Sequence, residues 1–175
     1  MKPGLMVAAL LLFAALPSIA EENSDWLATE RFKPTEEKVL SIPVKELDKT
    51  WARATLLTKD KLSPEAVRYL SDKQNYLFVV DADLNQDGKR DRAVVGVYES
   101  VSGEKGEFLL VATEKGRGTW KKAFLEKVPG EPGFTALCYS EGIVGWQNCF
   151  ECDGSLGDVL WSEGKYSLVV TPVEY

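Results

Sequence analysis

The chain has 175 residues, with 21 basic and 27 acidic side chains for a net charge of −6, and it contains no histidine. That balance makes nucleic acid a poor partner, since the usual footprint there is a basic patch and a high pI, and the missing imidazole excludes histidine triads and histidine-ligated zinc. Three cysteines, Cys138, Cys149 and Cys152, fall close together near the C-terminus.

In chain order, "MKPGLMVAALLLFAALPSIA" carries one basic residue, Lys2, then an apolar stretch from Leu5 to Leu16, then Ser18 and Ala20 at the small-residue positions of a cleavage site. This pattern predicts a signal peptide over 1–20, with an apolar core well short of the roughly 20 residues needed to cross a bilayer. The expected location is therefore periplasmic or secreted, with no membrane span in the mature form. Residues 21–33 are polar without a sustained period, and they read as an arm ordered only if Trp26 and Phe32 dock on the body. Residues 34–175 suffice for a single domain.

Within that domain, "VKELDKTWARATLL" (44–57) places Leu47, Trp51 and Ala54 at helical spacing, so a helix is expected there. A second helix is expected in "SPEAVRYLSDKQN" (63–75), with Ser63 as its cap, Pro64 in the first turn, and Ala66, Val67 and Leu70 as its apolar stripe. From Tyr76 onward the period changes to two, and strands are expected near 76–82, 92–99, 107–113, 119–125, 134–139, 143–149, 157–161 and 166–171. In "LWSEGKYSLVV" a two-residue turn at Glu163 and Gly164 would set Trp161 opposite Tyr166, and "CYSEGIV" repeats the device at Glu141 and Gly142. The fold class is thus α+β, mainly antiparallel sheet with a short N-terminal helical region.

The strongest chemical signal is "DADLNQDGKRDRAVVGV", residues 81–97. Counting Asp83 as position one, oxygen-bearing side chains recur at Asp83, Asn85 and Asp87, a glycine follows at Gly88, and Asp91 stands at position nine. Hard cations such as calcium take six to eight oxygens at about 2.3–2.6 Å, and alternation of ligand and spacer aims every second side chain inward. Without an ion the three aspartates would repel one another. Position twelve is Val94 rather than the glutamate that closes an EF-hand.

The segment resembles the "DxNxDGxxD" calcium loop of FG-GAP and integrin-type (VCBS-like) β-propeller repeats, and more loosely that of dockerins. The resemblance is confined to this hairpin; a whole propeller needs about four or more four-stranded blades, more strands than this chain supplies. It implies a calcium-loop hairpin at 81–91, with Ca2+ held by Asp83, Asn85, Asp87, Asp91 and the backbone carbonyl of Lys89, and Asp81 as an outer partner.

The sequence therefore points to an exported calcium-binding, β-rich module without catalytic residues, whose acidic surface suits a cationic protein or an envelope polymer. The rival reading is an enzyme. "CFEC" at 149–152 has the spacing of a thiol-disulfide oxidoreductase, although Cys138, Cys149 and Cys152 are equally candidates for a structural disulfide. A two-carboxylate hydrolase could draw on Glu99, Glu104, Glu107 or Glu151, and Trp120, Trp146 and Trp161 could form an aromatic platform.

Overall fold

The computed structural model of the chain describes residues 32–62, 64, 67, 68, 70, 76–147 and 155–170. The expected signal peptide and nearly all of the polar arm fall outside that set. Among the described residues the strands are β1 (Lys38–Val39), β2 (Ile42–Pro43), β3 (Trp51–Leu56), β4 (Val79–Ala82), β5 (Asp91–Ser100), β6 (Lys105–Gly116), β7 (Thr119–Pro129), β8 (Ala136–Ser140), β9 (Ile143–Gln147), β10 (Ser155–Ser162) and β11 (Lys165–Val169), with a helical turn, α1 (Val44–Leu47), and a 3-10 turn at Lys59–Lys61. The architecture is mainly antiparallel sheet with very little helix, as the alternating pattern from Tyr76 onward predicts.

Two-residue turns set much of the order. Arg117–Gly118, Glu141–Gly142 and Glu163–Gly164 join β6 to β7, β8 to β9 and β10 to β11, and in each pair both residues have positive φ. That is the turn whose twist matches the twist of antiparallel strands, and glycine at its second position adopts it without a Cβ penalty. The last of these turns places Trp161 opposite Tyr166, ring centroids 4.7 Å apart in an edge-on contact.

β5 pairs with β6 along its length, β6 pairs with β7, and the other edge of β5 is shared by β3 and β4, which gives a five-stranded sheet. β8 to β11 form a four-stranded sheet in the order β11–β10–β9–β8, and β1 and β2 form a small ribbon. Both faces of the large sheet are covered. Val95, Val97, Leu109 and Val111 pack toward Leu137, Val144, Trp146 and Val159 of the smaller sheet. Val94, Tyr98, Phe108 and Leu110 pack on the other side against Val39, Ile42, Leu47 and Trp51. This is why "AVVGV" and "FLLVA" read as continuous apolar runs: a strand buried on both faces has no polar side to alternate with. Each such side chain contributes about 1.5–3 kcal/mol through burial.

The segment 44–57 departs from expectation. Its helix stops after one turn at Leu47, Asp48 is extended, and the Asp48 carboxylate accepts hydrogen bonds from the Thr50 N–H and hydroxyl. Trp51 and Ala54 then lie on β3, hydrogen-bonded to β5. The helical spacing of Leu47, Trp51 and Ala54 loses to tertiary pairing: Trp51 is fully buried and stacks on Tyr98 at 4.5 Å. In the 63–75 stretch, the described Pro64, Val67, Arg68 and Leu70 are helical, and Leu70 is buried. Ser63 and Ala66 lie outside the described residues. Phe32 docks in the core between the two sheets, whereas Trp26 is not among the described residues.

Candidate metal centre

The 83–90 loop is closed at its base by β4 and β5, whose paired ends set Asp81 opposite Arg92 and Ala82 opposite Asp91. Inside the loop the oxygens face backbone amides. Asp83 Oδ1 accepts from the Asp87 N–H at 3.0 Å and Oδ2 from the Gly88 N–H at 2.8 Å. Asn85 Oδ1 accepts from the same Asp87 N–H at 3.1 Å, and Asp87 Oδ1 accepts from the Lys89 N–H at 2.9 Å. The chain can curl this way because Gln86 and Gly88 take positive φ, 58° and 82°. A Cβ at Gly88 would meet nothing within 4 Å, so glycine serves the backbone angle there rather than a tight fit.

Asp91 behaves differently from its neighbours. It is the first residue of β5, and alternation puts it on the same face as Ala93 and Val95, between the two sheets. It is fully buried. Its Oδ2 accepts from the Leu84 N–H at 3.0 Å and from the Tyr166 hydroxyl at 2.8 Å, and its Oδ1 accepts from Thr113 Oγ1. Burial, followed by the bond to Asp91, pushes the Tyr166 hydroxyl far above its ordinary range, so it stays protonated and donating. One carboxylate thus ties the loop's second residue to β6 and β11. Neither Thr113 nor Tyr166 was legible as a site residue in the sequence, because each reaches Asp91 through long-range pairing.

Asp81 is committed elsewhere. It forms a two-pronged pair with Arg92, both contacts at 2.7 Å, and the guanidinium holds its carboxyl below the usual range. Asp81, the expected outer partner, thus spans the base of the hairpin to Arg92. Arg92 and Arg90 also lie over the Trp120 ring, 4.7 and 5.3 Å from its centroid.

The fit to calcium can be judged from these donors. Asp83, Asn85 and Asp87 offer inward oxygens, each with lone pairs beyond its single recorded hydrogen bond. Asp91 keeps a lone pair only on Oδ1, since Oδ2 already accepts two donors. Among the described residues no group of three or more cysteine, aspartate or glutamate side chains stands ready to hold a metal on its own. The donor set suits a hard cation only with Asn85 and backbone oxygen included.

Compared with known proteins, the chain matches no family model, no curated protein and no solved structure.

The remaining sequence candidates among the described residues have separate surroundings. Cys138 is a free, half-buried thiol whose Sγ lies 3.5 Å from Gln147 Nε2; Cys149, Cys152 and Glu151 lie outside the described residues. Glu107 is buried and accepts from the Gly133 N–H, while Glu104 accepts from the Tyr98 hydroxyl at 3.3 Å, so these carboxylates have separate partners. Trp146 is fully buried in the core between the sheets, its Nε1 donating to Thr135 at 2.6 Å; Trp120 packs against the opposite core; and Trp161 leans on Tyr166. They do not form one platform. No helix among the described residues is long and apolar enough to cross a membrane.

Proposed function

We propose that this protein is an exported calcium-binding module, noncatalytic, in which the 83–91 loop takes Ca2+ through Asp83, Asn85, Asp87 and the Lys89 carbonyl, with Asp91 Oδ1 at the ninth position. The observation that carries the reading is the inward turn of the Asp83, Asn85 and Asp87 oxygens onto the loop's own amides, which gathers negative charge at the mouth of a hairpin. Bound calcium would supply the positive charge that offsets repulsion among those carboxylates and would link ion binding to the stability of the β4–β5 hairpin. Asp91 holds the loop's entry in place through Leu84, Thr113 and Tyr166. The excess of 27 acids over 21 bases supports a cationic protein or envelope polymer as partner, and the leader-like first twenty residues support a periplasmic or secreted location.

The test is calorimetric titration of the calcium-stripped protein with calcium, paired with thermal melts. One ion should bind per chain and raise the melting temperature by several degrees, and Asp87→Ala should abolish both effects. A chain that gives no heat and an unchanged melting temperature in millimolar calcium would refute the reading.

A further inference from the structure

Behind the loop, on the hairpin formed by β6 and β7, lies an open groove of about 740 Å³ whose charge runs against that of the protein. Its lining contains Lys89, Arg90, Lys115, Lys121 and Lys122 and a single acid, Glu114. In a chain carrying 27 acids and 21 bases, five cations around one concavity are a local inversion of sign.

Glu114 offsets only one of these cations. Its Oε1 accepts from the Gly118 N–H at 2.9 Å and its Oε2 accepts from Arg90 Nε at 3.1 Å, so it pins the β6–β7 turn and one guanidinium. Lys122 donates to the Leu47 carbonyl at 2.6 Å, and Lys89 lies 3.8 Å from Asp87. Lys115 and Lys121 are exposed and have no acidic partner among the described residues. Register explains the convergence: Lys121 on β7 faces Thr113 on β6, two residues before Lys115, and the 83–90 loop brings Lys89 and Arg90 to the same end of the sheet.

We propose that this groove binds a small multivalent anion, a molecule bearing two or more phosphate, sulfate or carboxylate groups. The volume selects a small ligand, since it lies within the roughly 300–1,000 Å³ of clefts that hold small molecules. Lys115 and Lys121 provide uncommitted charge and Arg90 adds a fixed donor plane. The site shares Gly88, Lys89 and Arg90 with the loop, but its uncommitted charges, Lys115 and Lys121, lie on β6 and β7 and require no ion in the loop.

The test is titration of the full chain with tripolyphosphate in calcium-free, low-salt buffer, with orthophosphate as the single-centre comparison. Tripolyphosphate should bind with one-to-one stoichiometry, at least about tenfold more tightly than orthophosphate, and Lys115→Ala/Lys121→Ala should weaken it about tenfold or more. Lys59→Ala/Lys105→Ala removes the same charge outside the groove and should leave the affinity within about twofold. Circular dichroism of each variant confirms that it is folded. Absence of binding at millimolar tripolyphosphate, equal affinity for orthophosphate, or equal losses in the two double variants would each overturn the proposal.

Discussion

Glu107 provides a direct test of how this fold treats buried charge. It lies on β6 opposite Val97 of β5 and Val128 of β7, is 7 % exposed, and has one recorded hydrogen bond, from the Gly133 N–H. Burial pushes its carboxyl up from 4.5 to about 7, and the Gly133 bond offsets only part of that rise. The folded protein therefore binds this proton more tightly than the unfolded chain. Stability from this group is complete below about pH 4.5 and is lost as pH rises toward 7. At about 1.4 kcal/mol per tenfold change in acidity, the full loss is on the order of 3 kcal/mol. Glu107→Gln keeps an oxygen for the Gly133 N–H and removes the titration. Urea unfolding of both proteins at intervals from pH 4 to 8, followed by tryptophan fluorescence, isolates the effect, because the other carboxylates are common to both. The variant should gain on the wild type across that range, the difference between them shifting in its favour by roughly 3 kcal/mol from pH 4 to pH 8. Parallel stability curves, or a wild type that gains on the variant as pH rises, would refute the reasoning.

Asp91→Ala strips the acceptor from Leu84 N–H, Thr113 and Tyr166 at a fully buried position, and guanidinium unfolding should show a loss of at least about 3 kcal/mol. Tyr166→Phe removes one of those donors and should cost less, about 1–2 kcal/mol in the same assay. At Gly96 an added Cβ would come within 2.5 Å of the Phe108 ring and 2.6 Å of the Thr55 carbonyl, so Gly96→Ala should lower stability by about 1–3 kcal/mol or more in thermal melts. Burial alone would raise the Asp48 carboxyl, but hydrogen bonds from Lys127 and Thr50 hold it at about 2. A carbon-detected NMR titration should therefore find Asp48 ionised well below 3.8, and Lys127→Ala should move its midpoint back up; the stability tied to this group is present above 3.8 and fades as pH falls through about 2.

The strands from Tyr76 onward were legible because alternation and glycine turns are local. Glu141–Gly142 and Glu163–Gly164 fall at the tips of their hairpins, and Trp161 faces Tyr166 as spacing required. The 44–57 segment was misread because one spacing of apolar residues serves either a helix or a strand, and the choice was made by Trp51 packing on Tyr98, about fifty residues away along the chain. The loop's alternating oxygens were readable, but Asp91 as a buried anchor was not, since Thr113 and Tyr166 come from distant strands.

By itself the amino-acid order determined the succession of strands from Tyr76 onward, the two-residue turns, and a loop with oxygens at every second position, because each depends on dihedral preference and spacing within a few residues. Only the tertiary structure decided that Asp81 pairs with Arg92, that Asp91 faces inward onto Tyr166, that Glu107 is sealed beside Gly133, and that lysines from two strands meet Arg90 around one groove. Those outcomes rest on sheet register and on which face is covered. Both are set by the summed burial of apolar surface across the whole sheet, not by any one segment.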